Sequence, residues 1–192
     1  IKVLELAKDK GLALKLDRYL ITEALKRFKK HQNNGLYKKA ILNINVAPQS
    51  LIDDNFAAMM VKLTERYGYD VNDVCLEITE NSFVDYNVTI FNQMKHLKAQ
   101  GFMIALDDFG KEYSSLSVLN EFDFDVVKID KTFIHRLEDP VNEAIVKLVD
   151  EVAKLKKSIV IAEGIETAKQ SEKLKGMGCT IQQGYYFMIL KV

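Results

Sequence analysis

Six short apolar runs of this chain are each followed, at or near their carboxyl end, by a polar or charged side chain. These residues are Asn45, Glu77, Glu80, Asp107, Asp108, Lys128, Asp130, Glu163 and Gln183. Carboxylate and amide oxygens are hard ligands that favour Mg²⁺ or Mn²⁺ over zinc. Two such ions suit attack of water on a phosphodiester, and the adjacent pair Asp107 and Asp108 could flank both ions. Lys128 could neutralise developing phosphate charge or orient the attacking water.

Each of these positions also has an ordinary structural interpretation. Asn45, Asp130 and Gln183 could be helix caps or solvated loop residues. Lys128 could be an ion-pair partner that merely balances the acids. Capping alone accounts poorly for six runs that all end in this way. We therefore interpret these residues as one site.

The histidines and cysteines give no sign of a zinc or redox centre. His31 and His96 fall in helical stretches and His135 in a loop after a strand, so all three are predicted to be surface residues. Cys75 and Cys179 each lie in an apolar stretch and are predicted to be buried thiols. The sequence contains no complete GxxxxGK[ST], GxGxxG, HExxH or GxSxG motif.

Alternating strands and helices must position the polar residues. The β-branched runs predict strands at residues 39–46, 73–79, 102–107, 125–130, 158–163 and 178–183. They are apolar on both faces, as in parallel strands covered by helices, so the pattern indicates an α/β fold. An open doubly wound sheet and a closed (β/α)8 barrel compete at this point. A barrel brings the carboxyl ends of its strands to one face, but it normally needs about 250 residues. We therefore predict a TIM-type (β/α)8 barrel that is incomplete at the N-terminus, with its first strand missing from this chain.

Amphipathic stretches predict helices around the strands. The predicted core stripes are Leu16, Leu20, Ala24 and Phe28 in residues 16–31, Tyr86, Ile90, Met94 and Leu97 in residues 85–100, and Ala144, Val146, Leu148, Val152 and Leu155 in residues 141–156.

The composition is that of a globular protein rather than a disordered or fibrous one. The chain has 192 residues, is 48% hydrophobic, and balances 27 basic with 27 acidic side chains. Zero net charge gives no electrostatic reason to bind DNA, RNA or an anionic membrane. No apolar run approaches the roughly 20 residues of a membrane span. We expect a single domain over residues 1–192, part of a longer multidomain protein, in the cytoplasm or in the cytoplasmic part of a membrane-anchored protein.

Seven short strings occur in order at or near the strand ends. They are NINV at 43–46, LEITE at 76–80, LDDFG at 106–110, YSSL at 113–116, DVVKID at 125–130, AEGIET at 162–167 and QQGYYF at 182–187. In these strings the sequence resembles the EAL-domain family, bacterial phosphodiesterases that act on cyclic di-GMP. The resemblance implies a barrel that binds two Mg²⁺ or Mn²⁺ ions and opens cyclic di-GMP to linear pGpG. We also expect a homodimer, with sensory or cyclase domains fused to it.

The resemblance implies a role for each polar residue at the strand ends. The metal ligands would be Asn45, Glu77, Asp107 and Asp108. Glu163 would complete the second-metal side or act on the water, which Lys128 would orient. Gln183 would contact the site from the last strand, Glu80 would anchor the loop after Asp108, and Asp130 would lie on the substrate side.

Three features depart from the family pattern. The signature glutamate on the first barrel strand is expected upstream of Ile1, because the string EALKR at 23–27 lies within a predicted helix and Glu23 is interpreted as a surface residue. Lys111-Glu112 replaces the usual Thr-Gly, which removes backbone freedom and adds a negative charge near the site. Leu190 replaces a usual proline and is expected to affect only the local turn.

Three functional hypotheses follow from these residues. The leading one is a metal-dependent phosphodiesterase. The second is a catalytically degenerate domain that acts as a receptor for cyclic di-GMP or as a protein-interaction module, which the altered loop and the missing glutamate favour. The third is a structural scaffold that neither binds nor hydrolyses the nucleotide.

Overall fold

The chain forms two compact units in the computed structural model, which describes residues 12–34, 40–111 and 115–187 but not the side chains of residues 84–87 and 115. The first unit comprises Ile1–Ile78 and Ser82–Ile104, and the second comprises Thr79–Asn81 and Ala105–Val192. The single domain over residues 1–192 stays a prediction.

Strands and helices alternate through the described residues. In chain order they are α1 (Ala13–Asn33), β1 (Leu42–Asn45), α2 (Pro48–Leu51), α3 (Phe56–Tyr67), β2 (Val74–Thr79), α4 (Phe83–Ala99), β3 (Met103–Phe109), α5 (Ser115–Glu121), β4 (Val126–Ile129), α6 (Lys131–His135), α7 (Pro140–Leu155), β5 (Ile159–Ala162), α8 (Ala168–Gly176) and β6 (Ile181–Gln182). Short 3₁₀ turns, Val71–Asp73 and Glu80–Ser82, flank β2. Each of the six strands lies within or overlaps a predicted apolar run.

Parallel pairing confirms the predicted fold class. In the first unit β1 pairs with β2, and Asn45 lies opposite Glu77. In the second unit β3 pairs with β4, β4 with β5 and β5 with β6, all in parallel. Strands that are consecutive in the chain are therefore neighbours in each ladder, without the reversal of order that defines a doubly wound sheet. This is the order of a (β/α)8 barrel. The prediction of a further strand upstream concerns chain outside the described residues.

Local signals start several of the helices. Asp139 accepts a hydrogen bond from the N–H of Val141 and precedes Pro140 at the first helical position of α7. A capping box between Thr167 and Gln170 starts α8. Asp130 caps α6 by accepting from the N–H of Thr132, which places a predicted site residue at a helix start. Capping and a place in the site are therefore compatible at Asp130.

The predicted apolar stripe is confirmed in α4 and only partly confirmed in α7, where Val146 is buried as predicted. Ile90, Met94 and Leu97 of α4 are fully buried, whereas the side chain of Tyr86 lies outside the described residues.

In α7 the buried residues are Val146, Val149, Asp150 and Ala153. Leu148 and Leu155 are 44% and 86% exposed and Ala144 is also exposed. Helix α7 carries apolar residues on two faces, so its periodicity alone did not decide which face packs.

The stripe predicted for α1 is also only partly confirmed. The buried residues are Ile21 and Leu25, and Leu20 is 48% exposed. Leu16, Ala24 and Phe28 are half-buried beside them. Glu23 lies in this helix and forms ion pairs with Lys26 and Arg27, each at 3.5 Å. The string EALKR is thus part of a helix, not of a strand.

The histidines are exposed, as the sequence predicted. His135 ends helix α6 instead of lying in a loop. Across the three described ranges, no helix combines the length and the apolarity that a membrane crossing requires.

Both thiols are buried, as predicted, and we expect them to be unreactive in the native protein. Burial raises the pKa of Cys179 to about 11 from 9.0, so near pH 8 its thiolate is about 100-fold scarcer than in an unfolded chain. Titration with a thiol reagent at that pH should be slow without denaturant and fast in guanidinium. Fast modification of the folded protein would contradict this burial.

Candidate functional site

Asp107 and Asp108 lie where the ladder between β3 and β4 is irregular. Leu106 pairs with Val127, and the register then shifts so that Phe109 pairs with Ile129. The two aspartates occupy the shifted segment, and Asp108 has a positive φ of 56°. This conformation costs a non-glycine residue on the order of 1–2 kcal/mol. Bulges of this kind re-aim side chains beside active sites, so the backbone here is shaped to present carboxylates.

Glu80 fastens the loop that follows these aspartates. It is buried in the 3₁₀ turn after β2, and its Oε2 accepts a hydrogen bond from the N–H of Gly110 at 3.3 Å. Gly110 has a φ of 89°, which a residue with a side chain rarely adopts. The contact is with the loop that the resemblance assigns to Glu80, and the anchoring role stays a prediction.

Lys128 joins the ends of β3 and β5. Its Nζ lies 3.0 Å from Asp107 Oδ1 and 2.7 Å from Glu163 Oε1. The three side chains are only 6%, 13% and 18% exposed, so these ion pairs are shielded from water. The strand order explains why Lys128 reaches both acids. Strand β4 lies between β3 and β5, and Glu163 directly follows β5. Lys128 therefore balances acids from both neighbouring strand ends.

The acids beside Lys128 fit a hard divalent cation. Asp107, Asp108 and Glu163 each offer a carboxylate oxygen, and these oxygens all lie within 4.8 Å of one another. Asp107 Oδ1 is buried and accepts no hydrogen bond within the described structure, although it faces the Lys128 ammonium. A buried carboxylate oxygen without a hydrogen bond is costly unless a cation faces it. The donor set is all oxygen, as Mg²⁺ and Mn²⁺ prefer.

Two further charges adjoin Asp108. Lys111 donates a hydrogen bond from Nζ to Asp108 Oδ2 at 3.3 Å, and about half of its side chain is exposed. The Asp130 carboxyl lies within hydrogen-bonding reach of Asp108. Burial acts to raise the pKa of Asp130, but hydrogen bonds with Thr132 and Asp108 and the charge of Lys111 together outweigh it and hold that pKa below its usual value. Asp130 therefore adds a negative charge beside the cluster.

A cavity of about 260 Å³ opens beside Glu163. Gln183, Lys131 and the exposed Tyr185 also line it. The backbone of Gln183 donates to the carbonyl of Ala162 and accepts from the N–H of Ile165, which holds this residue beside Glu163. An acid, an amide, a cation and an aromatic ring around one cavity suit a polar ligand that also has a flat ring.

The second unit thus brings together Glu80, Asp107, Asp108, Lys128, Asp130, Glu163 and Gln183. Asn45 and Glu77 lie in the first unit as register partners, Glu77 buried and Asn45 exposed, and their role as metal ligands stays a prediction. Glu112 and Leu190 lie outside the described residues, as do Tyr113 and Ser114 of YSSL.

Sequence reasoning missed three residues of this site. The sequence pattern assigns Lys111 only to the changed loop, and it does not indicate Lys131 as a cavity residue or Gly110 as a contact of Glu80. The signal available for Gly110 was a glycine placed just after a pair of acids at a strand end, where the backbone is often required to turn sharply.

The comparisons with known proteins agree with one another. A family model described as "EAL domain" matches residues 2–189. Protein Rv1354c of Mycobacterium tuberculosis is 36% identical over 94% of this chain and 29% of its own length. Cyclic di-GMP phosphodiesterase PdeR of Escherichia coli is 28% identical over 94% of this chain and 27% of its own length.

Solved structures show the same fold. The EAL enzyme Bd1971, in a form with cAMP and cyclic di-GMP bound, superposes with a TM-score of 0.89 and 26% identity, covering 97% of this chain and 51% of that one. The chain spans about 29% of the length of the first curated relatives that it matches.

We expect Lys128→Met to destabilise the metal-free protein by about 3 kcal/mol, because removing one partner leaves buried carboxylates unpaired. Lys147→Met, which breaks the more exposed pair with Glu143 on α7, is the matched control and should cost no more than about 1 kcal/mol. Urea unfolding with EDTA present measures both changes. Equal losses in the free energy of unfolding would show that the buried Lys128 ion pairs contribute no more to stability than the exposed pair of Lys147.

Proposed function

The chain belongs to the EAL domain family, and from that premise we propose that it is a phosphodiesterase that hydrolyses cyclic di-GMP to linear pGpG with Mg²⁺ or Mn²⁺ as cofactor. The observation that carries the proposal is the position of Lys128 between Asp107 and Glu163, beside a cluster of three carboxylates. Homodimerisation and fused sensory or cyclase domains stay predictions from the resemblance.

In the proposed reaction, the oxygen of a water molecule bonds to phosphorus while one P–O3′ bond breaks. The products are a 5′-phosphate and a 3′-hydroxyl, and the proton lost by the water is balanced by the one that the leaving oxygen gains. When bound, divalent ions would lower the pKa of the water and stabilise charge on the phosphate oxygens. Asp107 and Asp108 would hold them, and the resemblance adds Asn45 and Glu77.

The protein's own groups would place the water and the phosphodiester. The ammonium of Lys128 can donate up to three hydrogen bonds from a position that two acids fix, so it would orient the water. Glu163 contacts Lys128 on one side and lines the cavity on the other. It would therefore act between the water and the substrate. Gln183 and Tyr185 would contact the nucleotide from the same cavity.

The receptor hypothesis has one observation in its favour. Lys111 stands in the altered loop and pairs with Asp108, a proposed metal ligand. The pair is partly exposed, with 52% of the lysine and 32% of the aspartate side chain open to solvent. Such pairs contribute about 0–1 kcal/mol, so the contact with Lys111 is only a weak competitor for a metal ion at Asp108. We therefore place hydrolysis ahead of binding without turnover.

An assay of product separates the two functions. The protein is incubated with cyclic di-GMP and Mn²⁺, and pGpG is quantified by chromatography, with binding measured in parallel by calorimetry in EDTA. We expect pGpG to form and EDTA to abolish its formation. Binding without pGpG, in a protein shown to be folded by circular dichroism, would establish the receptor instead.

In the active protein, Lys128→Ala should lower kcat by about 10²- to 10⁴-fold, because the water loses its positioned donor. Lys147→Ala removes a lysine of α7 that pairs with Glu143 and should retain the unaltered rate. Both variants are assayed at a temperature where circular dichroism shows them folded. A near-normal kcat for Lys128→Ala would refute the role proposed for Lys128.

A further inference from the structure

We propose that helix α6, Lys131–His135, is a spacer that sets the positions of the carboxylates at the ends of β3 and β5, with Phe133 as its main positioning residue. This inference rests on the proposed function, since it concerns the same cluster of acids. It assigns a positioning role to Phe133, whose side chain has no polar group, in a helix whose first residue, Lys131, also lines the cavity beside Glu163.

On the β3 side, the ring of Phe133 lies against the backbone at Gly110. A Cβ placed on Gly110 would be 2.3 Å from Cε2 and 2.6 Å from Cζ of that ring, so the ring occupies the space that a side chain would need. Gly110 follows Asp107 and Asp108 by only a few residues, and its N–H donates to Glu80. Glu80 and Phe133 therefore both contact this loop at Gly110.

On the β5 side, the same helix lies against Gly164, the residue after Glu163. A Cβ on Gly164 would be 2.3 Å from Cβ and 3.2 Å from Cα of Lys131. At the other end of the helix, Nε2 of His135 lies 3.2 Å from the carbonyl oxygen of Gly164. Both loops thus approach α6 at a glycine, and both glycines have positive φ, 89° and 71°.

The helix itself is held in place by groups outside the two loops. Ile134 is fully buried, and Asp130 caps the helix through the N–H of Thr132 at 2.8 Å. The N–H of Asp130 also donates to the carbonyl of Phe109 at 3.4 Å, which ties the start of the helix to the end of β3. A five-residue helix fixed in this way can act as a rigid spacer between the two loops.

The contacts of Lys128 depend on the separation that helix α6 would maintain. Lys128 can contact Asp107 and Glu163 together only if the ends of β3 and β5 keep their separation. Removing groups that orient metal ligands usually costs 10- to 100-fold in metal affinity. Phe133 is half-buried, and its side chain has no polar atom that could coordinate a metal ion. A loss of metal affinity of this size in a Phe133 variant would therefore come from displaced carboxylates.

The test compares Phe133→Ala with Phe124→Ala. Phe124 is also a phenylalanine of the second unit, but it precedes β4 at the end away from the acids, where it packs on Phe122 with ring centroids 4.9 Å apart. Mn²⁺ affinity is measured from free Mn²⁺ by electron paramagnetic resonance, and amide hydrogen exchange over residues 107–111 is measured in metal-free protein. Both variants are studied where circular dichroism shows them folded.

We expect Phe133→Ala to weaken Mn²⁺ binding by about 10- to 100-fold and to speed exchange over residues 107–111. Phe124→Ala should lower stability but leave both quantities near those of the unaltered protein. Phe133→Leu, which keeps an apolar side chain under Gly110, should recover most of the affinity.

Three outcomes would overturn the inference: unchanged exchange in Phe133→Ala, faster exchange with unchanged Mn²⁺ affinity, or equal effects in Phe124→Ala. A failure of the proposed function is distinguishable from these. If the unaltered protein bound no Mn²⁺, the metal-dependent reaction would be refuted, whereas the exchange comparison would still decide whether Phe133 holds the loop.

Discussion

The geometry of the candidate site depends on one buried interaction, the contact of the Lys128 ammonium with Asp107 on one side and Glu163 on the other. Two acids brought together without a cation would repel each other and lose their hydration. One lysine on the strand between them offsets the repulsion and compensates part of the lost hydration. Buried ion pairs of this kind are close to neutral in net stability, because desolvation offsets most of the attraction. The value of the contact therefore lies in geometry: it holds carboxylates from two strand ends at defined positions.

The need to hold carboxylates at defined positions also explains the irregular backbone of β3 at Asp107 and Asp108. A regular strand points successive side chains to opposite faces, so Asp107 and Asp108 in regular β structure would not both contribute to one cluster. The register shift and the positive φ of Asp108 bring both carboxylates within reach of Glu163. Glu80 and Gly110 stabilise this conformation through a hydrogen bond to the backbone. Local strain at the site is thus offset by contacts with groups that have no chemical role.

Prediction from the sequence succeeded where the pattern had one interpretation. The apolar runs predicted all six strands found in the described parts of the chain, because a run that is apolar on both faces suits a buried parallel strand. It failed in part in α1 and α7, where apolar residues cover more than one face. Packing buried Ile21 and Leu25 in α1, and Val149 and Ala153 in α7, which the expected stripes did not include. It also missed the contacts of Phe133 with Gly110, because no periodicity connects a helix to a loop that precedes it by one strand.

The sequence by itself determined the types of residue at the strand ends, the alternation of strands and helices, and the family resemblance. Residue types are read directly, and the carboxyl ends of parallel strands must share an edge. Only the tertiary structure decided which of those residues meet. It showed that Lys128 lies between two acids, that Lys111 pairs with Asp108, and that α6 contacts the loops after both strands. Such distances depend on register, on φ at single residues and on the packing of helices. Residue types alone do not fix any of these three.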